Sequence, residues 1–140
     1  MILSQTAEYA LRAMAYLAEQ GSSGAPIPPM AVATQTPPDY LAKVMQALSQ
    51  ANLVVGKRGR TGGYTLSRSV GEITVLEIIN AVDPIRRITA CPLSLPHHSV
   101  RLCALHRRLD AAAAHLEQAF GTTTLADLLE EPIFDAGPNK

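Results

Sequence analysis

Hydrophobic positions in the first third of the chain recur at helical spacing. A first helix is predicted from Ser4, a good N-cap residue, to about Gln20. One apolar face of that helix is formed by Ala7, Ala10, Leu11, Met14, Leu17 and Ala18. The sequence GSSG at 21–24 ends it, and a short second helix is predicted after Pro28 and Pro29.

A third helix is predicted to begin at the sequence TPPD. Thr36 is the expected N-cap, proline stands in the first turn, and Asp39 completes a pattern resembling a capping box. The apolar positions of this helix, which we expect to be buried, are Leu41, Val44, Met45 and Leu48. The helix should end near Asn52, because the period of the pattern changes there.

The next segment has the alternation of a β-hairpin. Two short apolar runs, 53–55 and 64–66, flank a basic, glycine-rich stretch at 56–63. Thr74 and Glu77 then form a capping box that opens a short helix to about Val82, and Asp83-Pro84 ends that helix.

The second half of the chain predicts one long helix. After an irregular stretch at 85–99, helical spacing runs from about Val100 to Phe120. Its stripe comprises Leu102, Leu105, Leu109, Ala112, Ala113, Leu116 and Phe120. We expect this stripe to pack against a second copy of the chain, the alternative being that it docks on its own domain. Thr122–Thr124 should cap a last short helix, Leu125–Glu131.

These elements predict a mainly α fold with a small β-hairpin. Helix, short helix, helix and basic hairpin are the order of a winged helix-turn-helix, here assigned to residues 1–83. A cysteine–histidine loop follows at 84–99, with potential ligands extending to 106. A dimerisation helix and terminal short helix occupy 100–131, and a tail occupies 132–140.

Composition is that of a globular protein, with 47% hydrophobic residues in 140 and no tryptophan. The longest apolar runs fall short of the ~20 residues that span a bilayer. The amino terminus lacks the basic region and uninterrupted apolar core of a signal peptide. We therefore expect a cytoplasmic protein with no membrane partner, in which cysteines serve metal or redox chemistry more readily than a structural disulfide.

The net charge of zero conceals a basic block. Between Tyr40 and Gly71 there is no acidic residue, whereas five basic residues occur there: Lys43, Lys57, Arg58, Arg60 and Arg68. Such a block can neutralise phosphates, although a solvated surface has the same composition.

The predicted partner is double-stranded DNA. The outer face of the third helix offers Tyr40, Lys43 and Gln46 to the major groove, and the hairpin offers Lys57, Arg58 and Arg60 to the backbone and minor groove. Ser4 and Gln5, at the start of the first helix, complete the predicted set. A homodimer would read a pseudo-palindromic operator.

Both cysteines and three of the four histidines lie within sixteen residues. Five residues separate Cys91 from His97, five separate His97 from Cys103, and two separate Cys103 from His106. Thiolate and imidazole suit zinc or an iron–sulfur centre, but this spacing matches no common zinc finger. An unligated thiol pair, a reversible disulfide and surface histidines are the alternatives.

The chain resembles the Rrf2 family of bacterial winged-helix transcription regulators. The resemblance runs through LSQTAEYALRAM, DYLAKVMQALSQANLV, KRGRTGGYTLSR, EITVLEIINAVD and TTLADLLEE. It implies a homodimer with crossed long helices. It also implies DNA binding tuned by an iron–sulfur cluster in the loop before the long helix, responsive to redox state, nitric oxide or iron and cluster status.

The loop departs from the family pattern at one position. Members that bind a cluster through three cysteines and a histidine share these intervals, but His97 stands here in place of the middle cysteine. The implied ligands are Cys91, His97, Cys103 and His106, holding a [2Fe–2S] cluster or, alternatively, zinc. His98 and Glu8 are possible substitutes, although Glu8 can instead form an ion pair with Arg12, four residues on.

Catalysis is not expected. The glycines at 59–63 lack the Lys-Ser/Thr and helix of a phosphate-binding loop, and nothing supplies Cys103 and His106 with an orienting acid. We therefore predict a sequence-specific DNA-binding transcription regulator controlled by a cluster. The alternative is a cluster-free or zinc-bound regulator acting by thiol switching or by docking on a metabolic enzyme.

Overall fold

A computed structural model describes residues 2–59, 62–93, 95–96 and 101–134 of the chain. Its first three helices are α1 (Gln5–Gln20), α2 (Ile27–Thr34) and α3 (Pro38–Gln50). They pack around a core to which α1 contributes Met14 and Leu17. The four predicted apolar positions of α3 are all buried, as helical periodicity required.

The start of α1 is as predicted, and the start of α3 differs. Ser4 Oγ accepts a hydrogen bond from the amide of Ala7 at 3.2 Å. Thr36, by contrast, is not the N-cap of α3, since Pro37 occupies that position without a side-chain cap. Thr36 is buried, and its hydroxyl pairs with that of Thr34 at 3.0 Å. Burial of both side chains makes this mutual hydrogen bond a better solution than a solvent-exposed cap.

The hairpin is present, and it pairs with a third segment. Strands β1 (Val54–Lys57) and β2 (Gly63–Leu66) are antiparallel, with Val54 opposite Leu66. Ala25, in the connection between α1 and α2, exchanges two backbone hydrogen bonds with Tyr64, at 2.9 and 2.8 Å. The second strand of the hairpin is thereby fixed, near its turn end, to the connection between α1 and α2.

Helix α4 (Val75–Val82) opens with the predicted capping box and ends at Asp83. The Thr74 hydroxyl accepts from the amide of Glu77, whose carboxylate in turn accepts from the amide of Thr74. The same carboxylate forms a 3.0 Å ion pair with Arg68, just after β2. One side chain therefore connects the end of the hairpin to the start of α4.

The long helix, α5, spans Ala104–Gly121 and begins later than predicted. Val100 lies outside the described residues, and Leu102 precedes the helix, whose N-cap is Cys103. The last helix, α6 (Leu125–Leu128), is capped by Thr124 as expected but is shorter than predicted. Leu125 is buried in the core formed by α1–α4, so the chain after α5 returns to that core.

No helix among the described residues is both long enough and apolar enough to cross a bilayer.

Gly63 is expected to be essential for the position of the hairpin. Its φ is +148°, and a β-carbon there would lie 2.6 Å from backbone atoms of Ala25 and Pro26. Gly63→Ala should lower the free energy of unfolding in urea by about 2–4 kcal/mol, since neither backbone segment can yield locally. Gly71→Ala is the matched control: nothing lies within 4 Å of its added carbon, so stability should change by less than about 0.5 kcal/mol. Equal stability of the two variants would contradict the close packing.

Candidate DNA-binding surface and cysteine–histidine site

The outer face of α3 presents two of the three residues expected there to solvent. Lys43 and Gln46 are exposed, opposite the buried apolar face of the same helix. Tyr40 is more constrained, because its ring packs edge-on against Tyr9 at 5.2 Å and its hydroxyl hydrogen-bonds to that of Thr6. Tyr40 therefore connects α3 to α1, and part of its side chain remains exposed to solvent.

Ser4 and Gln5 have structural partners at the start of α1. Ser4 caps the helix, and Gln5 donates a 2.9 Å hydrogen bond to the Tyr9 hydroxyl. Both side chains are exposed in the chain as described. They lie in the same helix turn as Thr6, the partner of Tyr40.

The hairpin presents Lys57 and Arg58 to solvent, whereas Arg60 lies outside the described residues. A shallow cleft of about 420 Å³ lies between the hairpin and the end of α3, lined by Lys57, Arg58, Tyr64 and Ser49. Sequence reasoning missed Ser49 and Tyr64, because nothing in the linear pattern shows that a residue at the end of α3 faces the hairpin. Their hydroxyls place hydrogen-bonding groups beside two cations.

Cys91, Cys103 and His106 converge at the start of α5. Their ligand atoms all lie within 4.8 Å of one another. His106 Nδ1 is 3.1 Å from Cys103 Sγ and 3.6 Å from Cys91 Sγ. All three residues are partly buried. We call this group the Cys–Cys–His triad.

The position of Cys103 at the N-terminus of α5 favours its thiolate. The backbone amide of His106 is the main cause that lowers the pKa of Cys103 to about 7, and the imidazole of His106 adds to it. Helix N-termini stabilise thiolates in this way, because their amides point toward the charge. The thiolate form of Cys103 is therefore more accessible near neutral pH than that of an ordinary cysteine.

Of the remaining predicted ligands, Glu8 alone lies among the described residues. His97 and His98 lie outside the described residues. The Glu8 carboxylate forms a 3.2 Å ion pair with Arg12, the alternative that the sequence allowed. Arg12 also donates to the carbonyl of Thr34 at 3.1 Å, so the pair spans α1 and the end of α2.

An ionic clamp that sequence reasoning missed ties the segment before Cys91 to α5. Arg87 makes two hydrogen bonds to Asp110, at 2.7 and 2.8 Å, and a third to Glu117 at 3.1 Å. The amide of Ile88 also donates to Asp110 at 2.8 Å. Arg87 is the main cause that lowers the pKa of Asp110 to about 2. In the sequence, this contact was indicated only by two acids seven residues apart in the long helix, Asp110 and Glu117, and by the arginines of the preceding loop.

The apolar stripe of α5 is divided in two. Near the N-terminus, Leu105 and Leu109 are 59% and 51% exposed. At the C-terminus, Phe120 packs against Ala7, Val75 and Ile79 of its own chain. The stripe therefore docks internally at one end and leaves an uncovered leucine surface at the other.

A basic hairpin beside an exposed helix face defines a winged-helix DNA-binding protein, here with a thiol–imidazole group on an appended long helix. The sequence model of the Rrf2 family, described as iron-dependent transcriptional regulators, matches residues 3–131. The chain belongs to the Rrf2 family. Its expected assignment is thus confirmed, and the matched proteins are regulators of transcription, not enzymes.

Two relatives extend over most of the chain. A protein of Aquifex aeolicus (strain VF5) assigned as an HTH-type transcriptional regulator is 31% identical over 133 residues, covering 92% of each chain. A similarly assigned protein of Mycobacterium tuberculosis (strain ATCC 25618 / H37Rv) is 34% identical over 131 residues, covering 91% of this chain and 81% of its own.

Solved structures share the fold. CymR, the global cysteine regulator of B. subtilis, superposes with a TM-score of 0.74 at 25% identity, covering 91% of this chain and 95% of its own. T. potens IscR superposes with a TM-score of 0.76 at 24% identity, covering 93% and 87%. The predicted mainly α, winged-helix architecture is confirmed by both.

Proposed function

We propose that this regulator is a homodimer whose affinity for a pseudo-palindromic operator is controlled by a metal centre at the Cys–Cys–His triad. The observation that carries the proposal is the convergence of both cysteines of the chain with His106. Eleven residues of sequence separate the cysteines, so their meeting reflects tertiary folding and not adjacency. In the cell we expect the protein in the cytoplasm, with its DNA.

A [2Fe–2S] cluster is the first candidate for the centre. Thiolates are the preferred ligands of such clusters, and imidazole replaces them in some. The family description as iron-dependent points the same way. Cys91, Cys103 and His106 would hold the cluster, with His97, His98 or Glu8 as the fourth ligand. Such a cluster supplies one-electron redox chemistry and sensitivity to oxidants.

Zinc is the second candidate, favoured by the compactness of the triad. Ligands of one tetrahedral zinc ion lie about 3.5–3.8 Å apart for the usual metal–ligand bond lengths. The separations of 3.1 and 3.6 Å from His106 to the two sulfurs are close to that range. Iron, sulfide and zinc analysis of protein purified without oxygen distinguishes the two. Protein that takes up neither metal would leave a thiol switch, or docking on a metabolic enzyme, as the mode of control.

The dimer is proposed from the uncovered leucine surface of α5. Leu105 and Leu109 lie one helical turn apart, and no described residue of the same chain buries either of them. Exposed leucines adjoining a small-residue stretch, Ala111–Ala114, allow close approach of two helices. A two-fold dimer would place two copies of α3 and two hairpins on the two half-sites of one operator.

Arg58→Ala is expected to weaken operator binding by about 1–3 kcal/mol, because Arg58 is exposed on the hairpin and we expect its guanidinium to enter the minor groove. Lys57→Ala should instead weaken binding to all sequences alike and reduce the salt dependence by about 0.9 in log–log slope, the value for one phosphate contact. Gel-shift titrations of operator and scrambled DNA at several salt concentrations measure both effects. Glu130→Ala, far from the hairpin in the sequence, serves as the control. Unchanged affinity in both hairpin variants would exclude this mode of docking.

A further inference from the structure

The segment that delivers Cys91 to α5 is fixed at two places. Toward α4, the amide of Ile85 donates to Asn80 Oδ1 at 3.2 Å, and its side chain packs on the cluster of Ala7, Val75 and Ile79. Toward α5, Arg87 and Ile88 are bound to Asp110. Cys91 follows three residues after Ile88, so the second attachment limits how far its sulfur can move.

The acids that bind Arg87 share a helix face with a member of the triad. His106, Asp110 and Glu117 follow one another at spacings of four and seven residues, which places them along one side of α5. A planar guanidinium with three hydrogen bonds to two carboxylates has both its position and its orientation determined. The clamp therefore sets the register of residues 87–91 along the helix that carries Cys103 and His106.

We propose that Arg87 is a positioning residue of the Cys–Cys–His triad: its clamp on Asp110 and Glu117 holds Cys91 within reach of Cys103 and His106. Arg87 does not act as a ligand, and it contributes no proton to the site. The inference deepens the proposed metal control, since it assigns the residue that assembles the donor set. It can be tested without any metal, because proximity of the two thiols is measurable by itself.

The test is the equilibrium of the Cys91–Cys103 disulfide in glutathione buffers of known composition, with metal removed by chelator. Two protein thiols are oxidised to one disulfide as one glutathione disulfide is reduced to two glutathione thiols, and the two protons pass to glutathione. The equilibrium constant reports the effective concentration of one thiol at the other. Mass spectrometry of the alkylated protein counts the reduced and oxidised forms and identifies the intrachain link.

R87A should lower this equilibrium constant about tenfold or more, which corresponds to a reduction potential about 30 mV higher for a two-electron couple. R87K keeps the charge but loses the two-pronged contact, so an intermediate value is expected. R86A is the matched control, since it removes the same charge from the exposed neighbouring residue and should leave the constant unchanged. If R87A does not fold, D110N and E117Q, which each remove one arm of the clamp, carry the test.

An R87A constant equal to that of the wild type would overturn the assignment, as would an equal loss in R86A, which would attribute the effect to net charge. The experiment also distinguishes failure of this assignment from failure of the proposed metal control. A wild type that binds no iron or zinc, but whose disulfide constant falls in R87A, would leave Arg87 as the positioning residue of a thiol pair.

Discussion

Replacing Cys91 by serine is expected to abolish the metal binding proposed for the Cys–Cys–His triad. The chain contains two cysteines, so no other thiolate can take the vacated position. The triad would retain one thiolate and one imidazole, whereas zinc and iron–sulfur centres need three or four strong donors. Metal sites of this kind contribute about 10–16 kcal/mol when they are complete, so losing a thiolate should lower metal content at least tenfold.

The measurement is iron, sulfide and zinc content after anaerobic purification, together with the visible spectrum. Near-equal iron and sulfide with visible absorbance identify a cluster, and about one zinc per chain in colourless protein identifies a single ion. Cys103→Ser and His106→Ala should resemble Cys91→Ser. Glu8→Gln is the informative comparison: retained metal agrees with the ion pair to Arg12, and lost metal would make Glu8 the missing ligand. Full metal content in Cys91→Ser would refute the triad as the metal site.

Leu109→Lys is expected to convert the proposed dimer into monomers at micromolar concentration and to abolish operator binding. Leu109 is half exposed in a single chain, and burying its exposed half on association contributes about 0.8–1.5 kcal/mol, half of the value for a fully exposed leucine. In a symmetric dimer the residue occurs twice at the same interface. The lysine variant loses both contributions and also brings two like, unpaired charges into an apolar contact, which costs several kcal/mol more.

Light scattering measures the mass, which should be near twice 14.9 kDa for the wild type and near 14.9 kDa for the variant. Gln118→Lys introduces the same charge on the opposite face of α5 and should remain dimeric. Circular dichroism separates dissociation from unfolding, because Phe120 and α6 pack on their own domain and should keep the end of α5 helical in a monomer. A wild type that is monomeric at this concentration would remove the basis for recognising a palindrome.

Much of the winged-helix domain could be predicted because its signals are local. Buried positions of α1 and α3 recur every three to four residues, and a helix must present such residues on one side. The capping box of Thr74 and Glu77 is likewise a contact between residues three apart. The hairpin was recognisable from its glycines and β-branched residues. The family resemblance followed from the same segments.

The predictions that were wrong concern places where burial or a neighbouring element overrides the local pattern. Thr36 has the sequence context of an N-cap, but the core accommodates it beside Thr34 and leaves the cap to Pro37. The start of α5 was extended to Val100 because its apolar spacing continues upstream. The helix instead begins after Cys103, which occupies the N-cap position.

The sequence by itself therefore determined the elements, the basic block and the residue types that can bind metal. Only the tertiary structure decided which of those residues meet. Cys91 meets Cys103 and His106 at the start of α5, and the segment before Cys91 is bound to the same helix through Arg87 and its two acids. The hairpin can pack against the connection between α1 and α2 because Gly63, which has no side chain, leaves room for the backbone of Ala25. Such contacts depend on the relative placement of whole elements, which is set by the sum of many packing interactions and has no periodic signature in the chain.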